Sequence, residues 1–204
     1  VILAGICVCS VEVNAEEYCF DEKDGETGWY KGGSAYSTDA VKIDNVPSAD
    51  ELNNIDFVTF YSEPDEAAKE WLANLSGDMG WVLTFYTSGA DIEVGTEGKN
   101  LYVDTLNAYW GNITVHGSVG TVRQRCESLS IDGDVDVYMI GGSGAETYTI
   151  RGGNGHVKGN ILGNVIVYRN TEFEGEWYGF GKDFKVDGTV KNAKIYSLSE
   201  EATA

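Results

Sequence analysis

The chain has 204 residues, with 33 Asp and Glu against 14 Lys and Arg, a formal net charge of −19. Phosphate binding needs clustered Lys and Arg, so this excess of acid argues against nucleic-acid and anionic-lipid partners. No stretch approaches the ~20 consecutive apolar residues of a membrane span, so no membrane insertion is expected.

In chain order, the run from Val1 to Cys9 reads as the apolar core of a signal peptide. Val13 and Ala15 stand at the two positions a signal peptidase reads, and Glu16-Glu17 follow. Residues 1–15 are therefore read as a signal-peptide remnant, with the mature chain beginning at Glu16 and exported to the medium or cell surface. Neither an initiating Met nor a basic leader precedes the run, so the natural chain is expected to start earlier. Ile6 before Cys7 and Val8 before Cys9 do not suit lipidation. Cys19 and Cys126 remain after export. They are open to pairing, or Cys126 serves as a small inward hydrophobe.

Residues 16–100 form a segment of mixed texture. Residues 16–46 are polar and glycine-spotted, with a turn at Trp29 to Gly33. Ser48 to Glu51 has capping-box spacing. Residues 55–61 read as a strand, and Ser62 as N-cap with Pro64 in the first turn predicts a helix. Ala68, Trp71, Leu72 and Leu75 fall on one apolar stripe, and Gly77 can close that helix. A strand over 81–86 completes a β-α-β unit. Its helix is expected to cap the exposed end of whatever follows.

Residues 101–198 repeat. Ile113-Thr-Val115-His-Gly117-Ser-Val119, Leu129-Ser-Ile131-Asp-Gly133-Asp-Val135, Tyr148-Thr-Ile150-Arg-Gly152-Gly-Asn154 and Phe184-Lys-Val186-Asp-Gly188-Thr-Val190 align on one glycine, with spacings of 16, 19 and 36 residues. A degenerate copy with Arg169 in the glycine slot divides the longest gap. Apolar and polar residues alternate with the period of a strand, which excludes helical repeats. A unit this short must stack on its neighbours to bury its apolar face. The pattern predicts a mainly β chain: a right-handed parallel β-solenoid with coils of about 18 residues, the N-terminal α/β cap before it and a tail over 199–204. Val115, Ile131, Ile150, Val167 and Val186 are expected to form one inward column.

These valine-rich, glycine-punctuated coils resemble the right-handed parallel β-helices of the pectin-lyase-like type. His156-Val-Lys-Gly159-Asn-Ile-Leu-Gly163-Asn-Val165 is similar to the strand pattern of the bactofilin solenoids. The first resemblance would imply polysaccharide cleavage, the second a polymerising scaffold, and surface β-helices in general adhesion. No catalytic motif of the pectin-lyase kind maps onto positions of this chain.

Candidate chemistry is sparse. Asp132, Asp134 and Asp136 alternate with Gly133, Val135 and Val137, and on one strand they would share an outer face about 6.6–6.8 Å apart. Such a row could hold Ca²⁺ or serve glycoside hydrolysis, against the plainer reading of solvated acids. No other cofactor is implied. His116 and His156 read as surface residues without a Ser or Cys partner. Tyr109-Trp110 and Trp177-Tyr178 interrupt the repeats, where a flat ring could stack on a sugar or fold back over the core.

The reading that follows is a secreted or cell-surface, non-catalytic β-solenoid acting in adhesion or glycan binding, with a polysaccharide or cell-surface glycan as partner. The alternatives are a polysaccharide lyase or glycoside hydrolase on the same fold, and an extracellular scaffold self-associating through its C-terminal coil.

Overall fold

The computed structural model describes residues 17–48, 55–87, 91–126, 128–140, 154–169 and 184–197. The signal-peptide reading, the copy on Gly152, Trp177, Tyr178 and the 199–204 tail lie outside them. Among the described residues no helix is long and apolar enough to cross a membrane.

The chain is mainly β. It opens with β1 (Glu17–Lys23), β2 (Glu26–Lys31), β3 (Val41–Ile43), β4 (Phe57–Phe60), helix α1 (Glu66–Asn74) and β5 (Gly77–Phe85). There follow β6 (Asp91–Val94), β7 (Leu101–Ala108), β8 (Asn112–Val115), β9 (Ser118–Gln124) and β10 (Ser128–Ile131). The last are β11 (Val135–Ile140), β12 (Asn154–Val157), β13 (Ile161–Arg169), β14 (Lys185–Val186) and β15 (Val190–Ser197). From β5 onward the chain alternates between two sheets. One has the order β15-β13-β11-β9-β7-β5-β4-β1-β2-β3 and the other β14-β12-β10-β8-β6. Every pairing is parallel except β1 with β2 and β2 with β3.

Register follows the inward residues. In the smaller sheet Val94, Val115, Ile131, Val157 and Val186 lie opposite one another in turn. The first four are fully buried. In the larger sheet Val103, Val119, Val135, Ile161 and Val190 do the same. The steps along that second column are 16, 16, 26 and 29 residues.

Two sequence expectations are corrected here. Val167 is not in the column of Val115: it lies on β13, opposite Ile140 and Ile195 in the larger sheet. The position expected for Ile150 is held by Val157, because the glycine that stacks in the third copy is Gly159. Gly133 N donates to Gly117 O at 2.9 Å, and Gly188 N to Gly159 O at 3.2 Å. A Cβ on Gly133 would stand 2.6 Å from Gly117 O, and one on Gly159 would run into Gly133 O. The bend therefore needs glycine for close backbone approach. Arg169 occupies no such slot, since it ends β13 opposite Ser197.

Helix α1 packs on β6 at the edge of the smaller sheet, with Ala68, Leu72 and Leu75 buried and Trp71 half-buried. Its N-cap is Asp65, not Ser62: the Asp65 carboxylate accepts from Ala68 N at 2.8 Å. The helix ends before Gly77, which opens β5. Its last carbonyls are met by the turn after β6, with Gly95 N on Leu72 O at 2.9 Å and Thr96 Oγ1 on Ala73 O at 2.6 Å. Trp71 closes an aromatic cluster against Trp29, 5.0 Å away, and Phe60.

Cys19 and Cys126 are both buried, and no disulfide joins them. Each thiol finds its own local acceptor, Glu17 Oε1 and Ser128 O, both at 3.3 Å. Burial, with Glu17 beside it, pushes the Cys19 thiol well above its ordinary range.

Candidate functional site

Parallel in-register stacking brings like positions of successive strands about 4.8 Å apart, so side chains at one position form a ladder. Two ladders emerge. The first lies where the larger sheet ends. Phe60, Phe85, Ala108 and Gln124 occupy matching inward positions, and the residue after each leaves the sheet: Tyr61, Tyr86, Tyr109 and Arg125.

The rings of Tyr61 and Tyr86 stack at 5.4 Å with planes 3° apart, those of Tyr86 and Tyr109 at 4.6 Å and 4°. The Arg125 guanidinium closes the row, 5.0 Å from the Tyr109 centroid. Tyr61 and Tyr86 are 41% and 40% exposed, so the row is an open strip of ring edges and hydroxyls. Burial, together with nearby Cys19 and Glu17, pushes the Tyr61 hydroxyl up to about 12. Burial and a hydrogen bond with Tyr109 raise that of Tyr86. Both hydroxyls therefore stay protonated at neutral pH and can donate as well as accept. Trp110, next along the chain, is 53% exposed. Both faces of Tyr86 are closed by its neighbours, whereas the Trp110 ring is exposed.

The second ladder lies where the smaller sheet bends at the stacked glycines. His116, Asp132 and Lys158 each precede one of them. Asp132 Oδ2 meets His116 Nδ1 at 2.6 Å and its Oδ1 meets Lys158 Nζ at 2.6 Å. His116 Nε2 meets Glu93 on β6 at 2.7 Å. Farther along, Asp187 takes His156 Nε2 at 2.9 Å and Lys185 Nζ at 2.6 Å. Burial lowers the His116 pKa, but the hydrogen bonds and charges of Asp132 and Glu93 outweigh it and hold the imidazole above its ordinary value. Burial likewise raises Asp132, and Lys158 and His116 overcome it, leaving the carboxyl low. His116, Asp132 and Lys158 line a shallow cleft of about 400 Å³ with Glu97, Lys99 and Ser118.

Of the residues singled out in the sequence, Tyr109 belongs to the strip and Trp110 follows it in the chain as an exposed ring. The three aspartates do not share a strand face. β10 ends at Ile131 and β11 begins at Val135, so Asp132 and Asp134 flank Gly133 in a bend and the alternation breaks there. Asp134 turns to Asn160, accepting from its backbone N at 2.7 Å and its Nδ2 at 3.0 Å. Asp136 is exposed on β11. Among the described residues no group of three His, Cys, Asp or Glu side chains is arranged to hold a metal ion. The histidines, read as lone surface residues, have acid partners on neighbouring turns.

Tyr61 and Tyr86 escaped the sequence reading. Their signal was present, since Thr-Phe-Tyr occurs at both 59–61 and 84–86, ahead of the segment that carries the glycine repeats. Compared with known proteins, the chain matches no family model, and no curated protein and no solved structure is similar to it.

Proposed function

We propose that the chain is an exported, non-catalytic β-solenoid of the right-handed parallel kind, capped by α1, that binds a neutral or sparsely charged glycan along the Tyr61–Tyr86–Tyr109 strip. The solenoid reading is supported by strict alternation between two parallel sheets, inward columns in register and the stacked glycines. The binding reading rests on one observation: three tyrosines from three different strands form a flat, exposed, rigidly spaced row. Ring edges and hydroxyls offer hydrogen bonds to sugar hydroxyls, and Trp110 offers an open face for a pyranose ring. Rigid aromatic anchors lose little conformational entropy on binding, which favours recognition over flexible polar contacts.

A glycan array probed with the purified protein tests this. Binding is expected to drop at least tenfold in Trp110→Ala and in Tyr86→Ala, with unfolding temperatures within a few degrees of the parent. Unchanged binding in both would remove the strip from the site.

The second reading is a polysaccharide lyase or glycoside hydrolase, favoured by the acid, imidazole and ammonium that meet over the cleft at Asp132. A general acid or base must reach the proton it moves. Here both nitrogens of His116 and both oxygens of Asp132 already have partners. That saturation favours a structural clamp. Release of reducing ends or unsaturated uronides by the protein, abolished by Asp134→Asn or Asp132→Asn, would establish the enzyme instead.

A further inference from the structure

We infer that the glycan bound at the tyrosine strip carries a single carboxylate, held by Arg123 and Arg125 at the strip's β9 end. This deepens the glycan-binding proposal and rests on it. Arg125 ends the ring ladder, and Arg123, two residues earlier, is exposed on the outer face of β9. Among the described residues neither Arg123 nor Arg125 has a carboxylate partner.

Beside Arg123 on the neighbouring strand lies Asn107, its register partner. Asn107 is 8% exposed and its Nδ2 donates to Thr84 Oγ1 at 3.0 Å, but its Oδ1 has no donor among the described residues. Buried polar atoms are normally satisfied, so one acceptor here is unmet. Two guanidinium forks beside a row of tyrosine hydroxyls fit a planar carboxylate flanked by sugar hydroxyls.

The charge of the whole chain limits how many carboxylates the ligand can carry. At physiological ionic strength the two arginines act over about 8 Å, beyond which the acidic surface dominates and repels a polyanion. One acidic residue on an otherwise neutral oligosaccharide meets both conditions. A uronic and a sialic acid share this chemistry.

Calorimetric titration with matched probes separates the possibilities: xylotetraose against its mono-glucuronyl derivative, and lactose against 3′-sialyllactose. The acidic member of one pair is expected to bind at least tenfold more tightly than its neutral twin. Arg123→Gln should weaken that preference, and Arg123→Lys should restore only part of it, having charge without the fork. The pair that responds tells a uronic from a sialic source. Equal affinity within both pairs overturns the inference and leaves the glycan reading standing. Failure to bind these probes and every member of the glycan array overturns the glycan reading, and the inference with it.

Discussion

The ladder along the glycine bend and the ladder along the end of the larger sheet are built by the same device, the in-register stacking of successive strands, but they differ in what is left over. At the bend, Glu93, His116, Asp132 and Lys158 meet one another within 2.7 Å, and each carboxylate and ring nitrogen between them has a partner. At the sheet end, tyrosine faces close on each other and Tyr86 bonds to Tyr109, while ring edges at Tyr61 and Tyr86 remain exposed. A ladder of charges holds neighbouring turns together, whereas a ladder of rings also presents a surface. Periodic exposure on a stacked β protein therefore does not identify a site by itself. What matters is whether the groups are saturated by the next turn.

The comparison presumes that inward columns set the register of both ladders, and Ile131→Asp tests that presumption most severely. It would place an unpaired carboxylate in the fully buried column between Val115 and Val157, at a cost of several kcal/mol, about 4 or more. Asp132→Ala, one residue on, removes charge-assisted bonds to partly exposed partners and should cost about 1–2 kcal/mol. Chemical denaturation measures both, and equal losses would reject the register. An effect smaller than that of Ile131→Asp is expected from Gly133→Ala. The new Cβ would stand 2.6 Å from Gly117 O, forcing two turns apart at about 1–3 kcal/mol and disturbing Asp132 and Asp134 on either side. Gly80→Ala, whose Cβ meets nothing within 4 Å, is the matched control and should be near neutral. If the two substitutions behave alike, close stacking at the bend is not what fixes the charged ladder.

Much of this architecture could be read from the residues, and the failures have physical causes. Alternation of apolar residues over 113–119, 129–135 and 184–190 identified strands and their inward faces, because burial on one side imposes period two. The third copy was misread because glycine alone is a weak marker. Gly152 and Gly159 both sit two residues past an apolar one, and only backbone contact with Gly133 O tells which is stacked. The N-cap moved from Ser62 to Asp65 because both are good caps near Pro64, and tertiary packing chose the start. The aspartates were grouped by assuming an unbroken strand through Gly133, where the chain bends. Tyr61 and Tyr86 were passed over because ladders join residues distant in sequence, and no local pattern links Tyr61 to Tyr109.

The gentlest probe of the contrast is pH. The His116 pKa lies above its ordinary ~6.5, since its bonds to Asp132 and Glu93 outweigh its burial. A raised histidine contributes stability that is fully present below ~6.5 and is lost as pH rises through the folded value. Asp132 is depressed below its ordinary value, so its contribution is present above about pH 4 and lost as pH falls through its own folded value. The charged ladder is therefore complete between about pH 4 and 6.5, and loosens above that. Above it the neutral imidazole can donate to one of its two carboxylates and not both. Tyr61 and Tyr86 do not titrate there, since burial and their neighbours push Tyr61 up to about 12 and hold Tyr86 above its ordinary value. Raising the pH from about 5.5 to 8.5 should thus cost the parent up to about 1 kcal/mol more than His116→Gln, a relative shift of about 2–4 °C in thermal unfolding. The glycan binding proposed for the strip should not follow that shift. A His116→Gln protein whose unfolding temperature tracks the parent across the range would mean that the imidazole carries no charge-dependent load between Glu93 and Asp132.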